Sequence, residues 1–186
     1  MNFLLDEFPK GSLVLDASVI INLLGSGGAS DILGALQVQC LVEKRTLEEI
    51  TRHPIPGLYH EQELTKLQEL GLIQVHRMSA EEYRIYLELV SGPSTDNLDD
   101  GESAAIAVAS CQRLGIVLDE RKARRIQCNR FPDLAVTSSL RLFISAGLRG
   151  DWPLTRVRDI VYAARNFSRM NIVKSEEFLL DYLVVD

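Results

Sequence analysis

The sequence predicts an α/β fold in which helices cover both faces of a central, mainly parallel sheet, in three layers. Two short apolar runs, at residues 13–15 and 116–118, have the length and composition of buried strands. Each run is followed directly by an aspartate, Asp16 or Asp119. Because the carboxyl ends of parallel strands meet at one edge of a sheet, we expect these two carboxylates to lie close together.

The first half of the chain alternates helical and strand-like patterns. After the first strand a helix at 19–24 is broken by Gly25-Ser26-Gly27-Gly28, and another begins near Ser30. The periodicity further predicts an apolar stretch at 38–42, helices at 46–53, 61–70 and 79–90, and a strand at 72–75. Thr46 is a candidate cap for the short third helix, and Pro54 is expected to end it.

The second half begins with a loop at 91–100 that is rich in Gly, Pro, Ser, Asp and Asn. Small residues in the helix at 101–114 allow close packing on the sheet, and a basic helix follows the second strand at 121–128. A short strand at 134–136 and a helix at 138–146, ended by Gly147, come next. Two amphipathic helices, at 154–167 and 175–183, close the chain.

Length and composition favour one domain that spans residues 1–186, with its closing helices at about 154–186. The chain has 186 residues, of which 46% are hydrophobic, enough for one core. No apolar run reaches membrane-spanning length, and residues 1–10 carry Asp6 and Glu7 rather than a basic leader, so we expect a cytoplasmic protein without a membrane anchor. The odd number of cysteines (Cys40, Cys111, Cys128) predicts buried thiols in a reducing compartment.

Charge is unevenly distributed along the chain. The formal net charge is -6, yet residues 113–170 hold 12 Lys+Arg against 5 Asp+Glu, whereas residues 1–93 hold 7 against 13. A basic half beside an acidic pocket suits a phosphodiester substrate. Alternatively, the arginines form solvated helix faces.

Two further acidic residues accompany the strand-end aspartates. Glu102 begins a helix, where the macrodipole alone would favour a carboxylate. A second glutamate lies on the predicted helix at 46–53. Four carboxylates gathered at one sheet edge would repel one another unless a cation lies between them, and their hard oxygens suit Mg²⁺ or Mn²⁺.

Other catalytic motifs fit poorly. The glycine-rich break lacks the lysine and hydroxyl of a phosphate-binding loop, and neither a GxGxxG nor a GxSxG motif is present. A haloacid-dehalogenase-type phosphatase requires an acid two positions after Asp16, where Ser18 stands. The three histidines lack the spacing of a zinc site.

Three runs in register carry a resemblance to a known family. They are Leu-Val-Leu-Asp-Ala-Ser-Val-Ile-Ile-Asn-Leu at 13–23, Leu-Asp-Asp-Gly-Glu-Ser-Ala-Ala-Ile-Ala-Val-Ala at 98–109 and Val-Leu-Asp-Glu-Arg-Lys-Ala-Arg at 117–124. Together they resemble a PIN-domain protein. The stretches at 166–168 and 175–178 resemble the closing helices of the branch near the VapC-type toxins of toxin–antitoxin pairs.

The resemblance assigns roles to individual residues. Asp16, Glu102 and Asp119 match the first, third and fourth acids of the family. Glu49 before Ile50 matches the second, with Glu48 as the alternative. Two further positions, Ser18 and Asn22, match residues that support the first aspartate, although a helix cap and a solvated helix face explain them equally well. Val136-Thr137-Ser138 stands where the family often has a Gly-Thr pair.

The implied activity is hydrolysis of RNA by a metal-dependent endoribonuclease. Asp16, Glu102 and Asp119, with Glu49, would bind Mg²⁺ or Mn²⁺, and the basic helix would hold substrate phosphates through Arg121, Lys122, Arg124 and Arg125. The resemblance also implies a homodimer, with a small antitoxin as partner. The alternative is a PIN-like interaction module that has lost its chemistry and acts by binding another protein.

Overall fold

A computed structural model describes residues 8–9, 11–92 and 97–183 and shows five parallel strands in one sheet. The spatial order is β3-β2-β1-β4-β5, so the direction in which strands are added reverses between β1 and β4. The predicted α/β fold is confirmed. The strands are β1 (Leu13–Leu15), β2 (Cys40–Glu43), β3 (Ile73–His76), β4 (Gly115–Val117) and β5 (Val136–Thr137).

Helices connect successive strands. Those in the described part of the chain are α1 (Ala17–Gly25), α2 (Ala29–Leu36), α3 (Lys44–Glu48), α4 (His60–Glu69), α5 (Ala80–Val90), α6 (Asp100–Gln112), α7 (Arg121–Arg130), α8 (Ser139–Arg149), α9 (Leu154–Ser168) and α10 (Phe178–Tyr182), with a 3₁₀ turn at Lys174–Glu176. The predicted absence of a leader and the centre of the predicted loop at 91–100 concern residues 1–7, 10 and 93–96, which lie outside the described residues.

The alternation of side chains along β1 explains the three layers. Leu13 and Leu15 point into the larger apolar cluster, which includes residues of α1, α2, α8 and α9. Val14 points to the other face, against α6 and α7. Because both faces of this central strand are buried, its sequence is apolar at all three positions rather than alternating.

The short helix α3 differs from its prediction at 46–53. It begins at Lys44, because the side chain of Glu43 caps it by accepting the Arg45 N–H at 2.6 Å. Thr46 is therefore not a cap and lies buried inside the helix. The helix ends at Glu48, and Ile50 turns into the core instead of continuing a helical face.

Gly147 does not end α8, which continues to Arg149. A Cβ atom at Gly147 would lie 2.3 Å from Cγ2 of Val157 on α9, so this glycine permits close packing of two helices. The closing stretch at 175–183 forms a 3₁₀ turn and the five-residue α10 rather than one helix. The cysteine prediction was also too simple, since Cys40 is buried but Cys128 is exposed.

In the described residues, no single helix has both the length and the apolar character needed to cross a membrane; only α1 and α2 taken together, bent by 115°, pass that test.

Candidate active site

Asp16 follows β1 directly and caps α1. Its side chain is 3% exposed and accepts hydrogen bonds from the Ala17 N–H at 2.6 Å and from the Ser18 hydroxyl at 2.7 Å. Burial raises the pKa of Asp16 above its ordinary value, although these two donors act in the opposite direction. Ser18 thus supports the first aspartate, in the role that the resemblance implies.

Asp119 lies beyond the end of β4, beside Asp16 at the point where the strand order reverses. It is 6% exposed and accepts bonds from the backbone N–H and hydroxyl of Ser139, at 2.8 and 2.6 Å, and from the Asn22 amide at 3.0 Å. Burial nevertheless raises its pKa to about 6, and the negative charge of Asp16 adds to this shift. Asn22 therefore bonds Asp119 rather than the first aspartate.

Glu102 lies in the first turn of α6. The helix dipole favours an ionised carboxylate there, but this effect contributes at most about 2 kcal/mol. Burial of the side chain is the larger influence, and with the charges of Asp16 and Asp99 it raises the pKa of Glu102 to about 7. The position is thus unfavourable for an isolated negative charge.

Glu49 immediately follows α3 and reaches α6. A Cβ atom at Gly101 would lie 2.8 Å from Oε2 of Glu49, so glycine is needed for this approach. Partial burial and the charge of Asp16 raise the pKa of Glu49, while a hydrogen bond from the Gly101 N–H lowers it. Glu48 instead forms an exposed ion pair with Lys44 at 2.9 Å. The geometry favours Glu49 over Glu48 as the second acid.

Four separate elements thus bring acids to one sheet edge, and the charge of Asp16 raises the pKa of each of the other three. Among the described residues, no three His, Cys, Asp or Glu side chains already surround one point at metal-binding distance. The donor type nonetheless fits a hard divalent cation, since carboxylate oxygens are its preferred ligands and a cation would offset their repulsion.

A buried ion cluster beside Asp119 was not predicted from the sequence. Glu176, on the 3₁₀ turn, is buried, accepts the Ser138 hydroxyl and the Arg141 Nε–H at 2.9 Å, and lies 4.0 Å from Nη2 of Arg124. Ser139 was also missed as a partner of Asp119. Neither residue carries a local signal, because each acts on a partner that is distant in sequence.

The basic helix α7 presents two kinds of arginine. Arg124 is half-buried and donates from Nη1 to the carbonyls of Leu118 and Thr137, at 2.9 and 3.2 Å, so it ties β4 to β5. Arg121 is exposed beside an open groove of about 780 Å³ that Asp119 and Lys174 also line. The other two predicted phosphate ligands, Lys122 and Arg125, are exposed, and Lys122 donates to the Asn97 side chain at 3.2 Å.

Comparison with known proteins gives a family but no individual relative. A family model described as a PIN domain matches residues 12–163, a stretch that begins just before β1 and contains all four acids. No curated protein and no solved structure matches the chain. PIN domains are generally nucleases and typically use divalent metals. The order of the strands, the acids at their carboxyl edge and the matched length lead to one conclusion: the chain belongs to the PIN-domain family.

Proposed function

We propose that this protein is a metal-dependent endoribonuclease. The observation that carries the proposal is the set of four acids, Asp16, Glu49, Glu102 and Asp119, which separate elements bring to the point where the strand order reverses. Ligands bind at such points in open α/β sheets. Groups with strongly shifted pKa values in a cleft are also typical of active sites.

In this proposal Asp16, Glu102 and Asp119 hold Mg²⁺ or Mn²⁺, with Glu49 beside them. A bound divalent ion would supply positive charge for the phosphodiester oxygens and a lower pKa for the attacking water. The remaining work falls to the protein. Asn22 and Ser139 fix the orientation of the Asp119 carboxylate, and the Ser18 hydroxyl fixes that of Asp16.

Two of the open grooves that border the acids support cleavage within a strand rather than at its end. One, of about 560 Å³, includes Glu49 in its wall, and the other, of about 780 Å³, includes Asp119. A nucleic acid that occupies both grooves would pass across the acidic edge. The choice of RNA over DNA rests on the family resemblance.

Substitution of Asp16 by Asn tests the proposal directly. This change removes one charge at nearly constant volume, so we expect Mn²⁺-dependent cleavage of single-stranded RNA to fall at least about 100-fold while the protein stays folded. Cleavage is measured on a labelled RNA by gel electrophoresis. The matched control is Asp133→Asn, since Asp133 is exposed in the loop that leads into β5, away from the acids. Wild-type activity in Asp16→Asn would exclude a role in metal binding.

We further propose, from the resemblance alone, that the nuclease is the toxin of a toxin–antitoxin pair, acts as a homodimer and is held inactive by a small antitoxin. Expression of the wild-type chain should then arrest growth, and expression of Asp16→Asn should not. Growth arrest by both proteins would contradict the toxin role, because it would not depend on RNA cleavage.

A further inference from the structure

A groove of about 560 Å³ opens beside Glu49, and two segments outside the acidic edge form its walls, together with Ile21 of α1. One wall is the loop that follows α3, residues 50–56, and the other is the end of α9. Glu49 belongs both to the lining of this groove and to the acidic edge. A ligand in the groove therefore lies next to the four acids. This placement suits a part of the substrate that does not itself react.

The side chains of this groove combine one aromatic ring with two cations. Phe167 is 47% exposed at the end of α9, a helix whose other face is buried. Arg52 and Arg169 are exposed in the same walls. An exposed aromatic ring beside guanidinium groups is the arrangement that binds nucleotides of single strands, by stacking on the base and neutralising phosphate.

Close packing holds one wall in place, and a hydrogen bond within the loop holds the other. A Cβ atom at Gly25 would lie 2.6 Å from Oγ of Ser168, so the end of α9 is packed closely against α1. Ser168 also donates to the Ala164 carbonyl at 2.5 Å. In the loop, Nδ1 of His53 accepts the Ile55 N–H at 3.0 Å. The groove is therefore formed before any ligand binds, which lowers the entropic cost of binding.

We infer that this groove binds one unpaired nucleotide of the substrate next to the scissile phosphodiester, with its base stacked on Phe167 and its phosphate near Arg52 and Arg169. The inference rests on the proposed nuclease function and adds a subsite for one unpaired nucleotide, outside the acidic edge. A paired base cannot stack in this way, because both of its faces are covered by neighbouring bases in a helix.

Stacking is measured first without cleavage, on wild-type protein in EDTA. A single-stranded RNA with 2-aminopurine should lose fluorescence on binding, and Phe167→Ala should abolish that loss, whereas Phe167→Trp should retain it. Tyr162→Ala is the matched control, because Tyr162 lies on the same helix and is 46% exposed. A fluorescence loss that is equal in Phe167→Ala and wild type would overturn the subsite.

Steady-state cleavage with Mn²⁺ gives the second measurement. Phe167→Ala should raise KM about tenfold with kcat within about twofold of wild type, as expected for loss of one base stack. Arg52→Gln and Arg169→Gln should each raise KM, and Arg165→Gln, an exposed change on α9, should not. An unchanged KM in all three groove variants overturns the inference but leaves the nuclease proposal intact. Stacking without any wild-type cleavage supports the subsite and refutes the nuclease.

Discussion

Asp119 shows the balance of forces on a single carboxylate at the acidic edge of the sheet. It accepts hydrogen bonds from two donors of Ser139 and one of Asn22, which favour the ionised form. Burial outweighs them and leaves its pKa at about 6. The metal-free protein thus holds acids where ionisation is unfavourable, and folding must overcome this cost at neutral pH.

Glu102 makes this cost measurable as a pH dependence. Its pKa is about 7 in the folded protein and 4.5 ordinarily, so between these values the folded protein holds a proton that the unfolded chain has lost. The folded state then binds more protons, and the free energy of unfolding must fall as pH rises from about 4.5 to about 7. Urea unfolding in EDTA across this range should show the fall.

The variant Glu102→Gln should remove a large part of this pH dependence and raise the free energy of unfolding at pH 7.5 by on the order of 2 kcal/mol. Asp119, with its pKa raised from 3.8 to about 6, accounts for a remaining fall at the lower end of the range. Glu61→Gln, an exposed change on α4, is the control and should follow wild type. A Glu102→Gln profile parallel to wild type would contradict the assigned electrostatics.

At the scale of elements, local patterns predicted most helices and strands, but several ends were predicted wrongly. The predicted helix start at Ser79 agrees with the structure, where Ser79 and Glu82 form a capping box within one turn. The start of α3 was missed because Glu43, a strand residue, provides the cap. Glycine commonly follows the end of a helix. Only the approach of Val157 from α9 explains why Gly147 lies inside α8.

The basic helix α7 was predicted as an element, but the different roles of its arginines were not. Substitution of Arg121, Lys122 and Arg125 together by Gln should weaken RNA binding similarly for all sequences and reduce its salt slope by up to about 2, since each phosphate contact contributes about 0.7. Fluorescence anisotropy at several salt concentrations measures both effects. Arg113→Gln, an exposed change just after α6, is the control.

A separate outcome is expected for Arg124→Gln, because Arg124 donates to two backbone carbonyls. This variant should lose about 1–3 kcal/mol of stability. If the triple variant kept the wild-type salt slope, the side chains of α7 would be solvated and the binding surface would lie elsewhere. If Arg124→Gln kept full stability, its bonds to the ends of β4 and β5 would contribute nothing.

For the whole molecule, the sequence predicted the α/β fold and placed Asp16, Glu102 and Asp119 on the elements that carry them. It predicted closing helices, but not how the chain beyond residue 163, where the family match ends, contacts the site. Glu176 pairs with Arg141 and contacts Ser138, and Phe167 lines the groove at Glu49. These contacts depend on how distant segments pack, and no local pattern encodes such packing.

Metal binding should be visible in the stability of the entire protein. A ligand that binds only the folded state stabilises it by about 2.7 kcal/mol at 100 times its Kd, so Mn²⁺ should raise the Tm of wild type by several degrees. Glu102→Gln and Asp119→Asn should each remove most of that increase, and Asp133→Asn should keep it. Differential scanning fluorimetry with and without EDTA measures the shift.

The same measurement separates the enzyme from a PIN-like interaction module that acts by binding another protein. A module that has lost its chemistry would show no Mn²⁺-dependent change in Tm, and the function would then lie in binding another protein. A shift that persists in both Glu102→Gln and Asp119→Asn would mean that the ion binds elsewhere on the molecule.

The bond between Asn22 and Asp119 also bears on the time course of folding. It joins residues 97 positions apart, and the contact of Asn22 with Ser139 spans 117 positions. Contacts of such sequence separation require closure of long loops and slow the folding of a chain. The acids consequently reach their final arrangement only when distant parts of the chain have met, so a partly folded chain lacks a complete acidic edge and activity should recover no earlier than the native fold.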